Sequence, residues 1–176
     1  PRFSVGFSRP LGDVSYLWHA GDAGRCPLVP SWLRRFRSDI ASGIPVYTFL
    51  DSDNGNCLTV AVSEPFRKVE AKMGAVEDNA MVEGEMAFFT EPEAPISSYH
   101  VELMFDSRDV FYGDAIAGGT QWIVDRCGIV TAPVPEAAFD PLYSSWYQFH
   151  QELTAGDIEA ECRLAALTGM KTVIVD

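Results

Sequence analysis

The sequence lacks the residue patterns that bind metals and nucleic acids. Its four cysteines, Cys26, Cys57, Cys127 and Cys162, never form a C-x-x-C pair, and His19, His100 and His150 are equally scattered. That spacing excludes a zinc knuckle, a dense disulfide framework and an H-E-x-x-H helix. It fits reduced, mostly buried thiols in a cytoplasmic protein. No cofactor and no metal site is expected. Basic residues are scarce as well: 13 Lys and Arg stand against 25 Asp and Glu, for a formal charge of −12. Phosphate binding needs a basic face, so nucleic acid is not an expected partner. No apolar run approaches the roughly 18 residues of a membrane helix, and no signal peptide opens the chain. No membrane partner is expected either.

The sequence does have core-forming material. Apolar residues make up 47% of the chain and aromatics 12%, enough for a packed interior and too much for disorder. Charge is unevenly spread. Six arginines face three aspartates in residues 1–44, giving +3, so the remainder carries −15. The run Arg34-Arg35-x-Arg37 reads as a solvated patch or a contact with that acidic remainder. Asp51-x-Asp53-x-Gly55 resembles a calcium loop only in part. The glycine and glutamate that such a loop needs at its sixth and twelfth positions are replaced by Asn56 and Val62.

Strand signals dominate up to about Arg108. Phe3 to Phe7 alternates apolar and polar, as a half-buried strand does. Val46–Leu50 and Leu58–Val62 flank the turn residues Asp51 to Asn56, a hairpin pattern. Phe66–Ala75, Met81–Phe89 and Tyr99–Phe105 continue at strand spacing, with Glu91 to Pro95 as a loop. Regular short strands of this kind predict an antiparallel β-sandwich. Asp109 to Cys127 predicts a helix weakened at Gly118-Gly119. The sandwich with this linking helix is expected over residues 1–130, and a Pro-rich linker over 131–141.

From Leu142 the pattern becomes α/β. Leu142–Phe149 is apolar enough for a buried strand, and Thr154 with Asp157 forms a variant capping box. Ile158, Cys162 and Ala165, with Leu164 and Leu167, predict one buried helical face, and Gly169 suits the position just past a helix end. Asp157, Glu159 and Glu161 are placed on the solvated side. Thr172–Val175 predicts a buried parallel strand ending at Asp176. Substrates in α/β folds bind at the carboxyl ends of strands. A lone β-α-β unit cannot cover both faces of its strands, so the chain reads as the front part of a larger enzyme.

Ser145-Trp146-Tyr147-Gln148-Phe149-His150, the capped helix, Leu167-Thr168-Gly169-Met170 and Val173-Ile174-Val175-Asp176 resemble the opening of the catalytic barrel in glycoside hydrolase family 36. These are the α-galactosidases, or melibiases. The resemblance is specific over residues 140–176. It implies a mainly β sandwich followed by the first β-α-β unit of a truncated (β/α)8 barrel over 142–176. It also implies that Asp176 is the first Asp of the family's Asp-Asp-Gly-Trp motif and binds the hydroxyls of an α-galactoside substrate. Trp146 is implied as the wall of the galactose pocket. The nucleophile and acid/base of the retaining reaction belong to later barrel strands, so no catalytic residue is expected in this chain and the intact protein is expected to be a homo-oligomer.

Other readings remain open. The chain could be a carbohydrate-binding or interaction module, or part of a raffinose-synthase-type galactosyltransferase or an enzyme for N-acetylgalactosamine. Trp18 is expected in the sandwich core. Trp32, flanked by Pro30 and arginines, is the candidate for an interface or a pocket lid.

Overall fold

The computed structural model describes residues 2–21, 24–28, 33–39 and 41–176. The chain divides into two compact units, Pro1–Val130 and Thr131–Asp176. It is mainly β, with antiparallel sheets and a few helices.

In the first unit, β1 (Phe3–Pro10), β8 (Met81–Phe88), β7 (Val69–Val76) and β4 (Arg34–Ser38) form a four-stranded antiparallel sheet in that spatial order. A five-stranded antiparallel sheet has the order β3 (Arg25–Pro27), β2 (Tyr16–His19), β5 (Val46–Leu50), β6 (Asn56–Val62), β9 (Leu103–Asp106). Leu17, Tyr47, Phe49, Val60 and Val62 from the second sheet share one core with Phe36, Met73, Val82, Met86 and Phe88 from the first. A shared core of inward side chains from two sheets is the packing of a sandwich.

The side-chain period of two explains where the basic run goes. On β4, Phe36 and Ser38 are buried while Arg35 and Arg37 are exposed. The solvated patch is thus one face of a strand whose other face is core. The hairpin between β5 and β6 forms as expected, with Asp51 Oδ1 accepting the N–H groups of Asp53 and Gly55 at 2.8 Å each.

All five residues of β5 are buried because its second face lies under α1 (Tyr112–Cys127). Val46, Ala61 and Ile123 form the cluster there, with Trp18 packed against it. The glycines that weaken this helix have a packing role. A Cβ on Gly119 would stand 3.4 Å from Val46 Cγ1 and 3.5 Å from Ala61 Cβ. Glycine lets the helix backbone close onto the sheet, and Gly128 ends the helix at φ 61°.

In the second unit, β10 (Leu142–Ser144) and β11 (Thr172–Ile174) pair in parallel, with Tyr143 opposite Val173. Between them run α2 (Trp146–Phe149) and α3 (Ala155–Leu167). Thr154 caps α3 with the reciprocal bonds to Asp157 that the sequence predicts, and Gly169 adopts φ 83°.

Four expectations are corrected here. The strand predicted over Leu142–Phe149 stops at Ser144, because Ser145 takes helical angles (φ −75°, ψ −15°) and Trp146 begins a helical turn. The helical face is not buried as a whole: Ala165 is buried, whereas Cys162, Leu164 and Leu167 are exposed. Asp157 and Glu161, assigned to the solvated side, are half-buried instead, and only Glu159 of the three is exposed. The strand before Asp176 is half-buried at Thr172 and Val173 and exposed at Ile174. A two-stranded parallel pair with one crossover has only one covered face.

Candidate functional site

The site begins with one small side chain. Ser145 is fully buried at the end of β10. Its N–H donates to the Ile174 carbonyl at 3.1 Å, which carries the parallel ladder one residue further. Its Oγ donates to the Asp176 carbonyl at 3.2 Å and accepts the Asp176 N–H at 3.1 Å. Ser145 therefore joins the carboxyl ends of the two strands, and each strand then delivers one side chain.

Just past β10, at the start of α2, stands Trp146, 39% exposed, and just past β11 stands Asp176, also exposed. The indole is met by His150, whose ring centroid lies 5.4 Å away with the planes at 80°. The N–H of His150 donates to the Trp146 carbonyl at 2.8 Å and closes the helical turn. Its backbone stands at φ 51° and ψ −117°, a conformation that suits glycine. Glu152 N–H then returns to the Phe149 carbonyl at 3.0 Å. These angles place His150 at the first central position of a type II′ turn, where glycine is the usual residue.

Behind the strand ends, Tyr143 Oη is shielded from solvent. Burial and then the nearby Glu161 carboxylate push its pKa up, although the two do not meet in hydrogen-bonding geometry. Chemically, this end of the pair offers an aromatic face, a carboxylate and an imidazole. It can bind a polyol ring, and it has one carboxylate where a retaining glycosidase needs two.

The structure brings the predicted residues Trp146 and Asp176 to the same end of one strand pair. Sequence reasoning missed Ser145 and His150. Ser145 had a weak signal, a polar residue inside an apolar run. His150 had none, since a backbone angle is not written in a side chain. Trp32 lies outside the described residues. Trp18, expected in the sandwich core, is instead half-buried on the opposite face of its sheet, packed against the cluster under α1, because the alternation along β2 sends Leu17 to the inter-sheet core and Trp18 the other way.

Other clusters in the first unit have structural roles. His19 Nε2 lies 3.0 Å from Ser38 Oγ, which lies 2.9 Å from Tyr47 Oη. This Ser-His contact is buried, stacked on Tyr47 at 4.9 Å, and Nδ1 accepts the Gly21 N–H at 3.0 Å. In a catalytic triad Nδ1–H donates to an acid instead. Asp13, Asp51 and Cys57 converge, but Asp51 is already engaged in the hairpin turn. Burial, with Asp13 adding to it, pushes the Cys57 thiol up to about 11. A cleft of about 550 Å³ is lined by Phe3, Phe89, Ile96 and Tyr99. Its carboxylates are paired, Glu91 with Lys68 at 2.6 Å and Glu93 with Arg67.

None of the described helices is long and apolar enough to cross a membrane. The sequence matches no protein-family model and no curated protein.

Proposed function

We propose that the chain is the N-terminal portion of a retaining α-galactosidase of the glycoside hydrolase family 36 type, hydrolysing terminal α-linked galactose from galacto-oligosaccharides. The observation that carries this reading is the Ser145 bridge, which puts Trp146 and Asp176 together at the carboxyl end of a parallel pair. That is where α/β barrels bind substrates. The indole suits the apolar face of a sugar ring. The Asp176 carboxylate can accept two hydroxyls in charge-assisted hydrogen bonds, and it selects hydroxyl configuration because an unmatched carboxylate is costly to desolvate.

The exposed apolar side chains of the second unit support a larger barrel. Leu164 (55%), Leu167 (85%), Ile174 (43%) and Val175 (59%) lie on α3 and at or just beyond the end of β11. Further β/α units are the surface that would cover them. Hydrolysis needs a nucleophile and an acid/base roughly 5–5.5 Å apart, and these belong to those further units. This chain alone is expected to bind weakly and to catalyse nothing. Four free thiols favour a reducing compartment, and we place the protein in the cytoplasm.

The test is hydrolysis of a chromogenic α-galactoside by the product of the uninterrupted reading frame, beside the chain itself. Activity confined to the longer protein is the expected result. Silence toward α-galactosides, N-acetylgalactosaminides and galactosyl acceptors alike would sink the family reading. A second reading then leads: a carbohydrate-binding or interaction module. It is favoured by the first unit's having its own two-sheet core.

A further inference from the structure

We infer that His150 is a positioning residue: it fixes the plane of the Trp146 indole so that one face stays open to the sugar. The sugar's part in this rests on the galactosidase reading; the positioning stands on geometry alone. Trp146 sits on a single helical turn that has no buried residue, and it is itself 39% exposed. Among the described residues, the ring that meets it, edge to face, is His150. An edge contact orients an aromatic plane without covering its outer face, because the ring quadrupole favours that approach. A sugar platform requires that combination of a fixed plane and a free face.

The backbone points the same way. His150 occupies φ 51°, ψ −117°, where glycine would be unstrained. Strain of this kind persists where the surroundings hold it, and it clusters at binding sites. Here the strained backbone carries the imidazole back over its own helical turn to Trp146. A glycine would close the turn more easily through the same N–H bond to the Trp146 carbonyl, but it would leave the indole unheld. The site also lies beside Asp176, through the hydroxyl of Ser145.

The experiment compares His150→Gly and His150→Phe with the parent, in two arms. In the uninterrupted protein, His150→Gly should raise KM for a chromogenic α-galactoside by about three- to tenfold, the range of one edge-to-face ring contact. Its kcat should stay within about twofold, and its thermal midpoint should hold or rise as strain is relieved. His150→Phe, which keeps a ring against the indole, should restore KM. In the second arm, the present chain is labelled with fluorotryptophan and the Trp146 resonance is assigned with Trp146→Phe. His150→Gly should broaden or split that fluorine signal, and His150→Phe should leave it sharp.

The arms fail separately. A parent enzyme without activity removes the galactosidase reading, and the fluorine signal still decides the positioning. An unchanged Trp146 resonance in His150→Gly overturns the proposal. So does a KM that rises in both variants alongside a lowered thermal midpoint, which is the signature of a merely structural histidine.

Discussion

Ser145 concentrates on one buried side chain the connection between two strand ends. Removing its hydroxyl leaves the Asp176 N–H without its partner. Such a loss costs about 1–3 kcal/mol when the groups are buried. Ser145→Ala should therefore lower the stability of the second unit by an amount in that range, read by urea unfolding followed at Trp146. A change below about 0.5 kcal/mol would mean that water replaces the hydroxyl and that the strand ends are joined by the ladder alone. In the first unit, Asp39 is the group that ties stability to pH. The Ser42 hydroxyl, the Arg37 guanidinium and the Ala41 N–H hold its carboxyl down at about 2. In the unfolded chain an aspartate titrates near about 3.9. A depressed folded value contributes stability that is complete above the unfolded value and is lost as pH falls through the folded one. Stability measured from pH 5 down to about pH 2 should fall in the lower part of that range, and Asp39→Asn should flatten the fall. Parallel curves for the two proteins would assign acid sensitivity elsewhere, Asp106 beside Arg108 and Glu70 beside Lys68 also being carboxylates held down.

Whole strands and helices respond to different changes. Phe7 of β1 lies opposite Gly84 of β8, and its ring also meets Phe49 and Phe105 edge-on. A Cβ on Gly84 would fall 2.3 Å from Phe7 Cε1, so the ring must leave its place. Gly84→Ala should cost about 1–3 kcal/mol by overpacking, and a companion Phe7→Leu should recover part of it. Equal losses in the single and double variants, read by chemical denaturation, would show that the glycine serves the strand backbone rather than the ring. For α3, the reciprocal Thr154–Asp157 cap has bonds of 3.3 Å and 3.1 Å at its start. Thr154→Ala should destabilise the helix by about 0.5–2 kcal/mol, seen as faster amide exchange in its first turn. Because α3 buries only Ala165, the cap has an unusually large share in holding it.

For the molecule as a whole, the division at Val130 and Thr131 has a physical consequence. Both buried clusters of the first unit, the one between the sheets and the one under α1, are made by residues before Val130. A chain ending at Val130 should therefore unfold cooperatively at close to the same urea midpoint as the longer one. A large drop would show that residues 131–176 stabilise the sandwich. The second unit has the opposite character, a short parallel pair, one crossover helix and apolar side chains on its surface. Its stability should rise when the remaining β/α units of the proposed barrel are present, since they would bury that surface.

What the sequence by itself determined is local. The alternation in Phe3 to Phe7, the hairpin residues Asp51 to Asn56, the Thr154 cap and Gly169 past the helix each depend on a few neighbouring residues, and each lies where the pattern puts it. Trp146 and Asp176 could be nominated because an aromatic and an acid at strand ends have a readable chemistry. Tertiary structure decided what depends on distant partners. It made Arg34–Ser38 a sheet strand, since the face that takes Phe36 inward is supplied by residues far along the chain. It closed α1 on the sheet through Gly119, a residue that propensity alone counts against a helix. It also ended β10 at Ser144, where Ser145 turns helical while its hydroxyl bonds to a backbone 31 residues away. Periodicity records which face of an element is apolar. It does not record what will cover that face, nor the backbone angle that turns His150 toward Trp146.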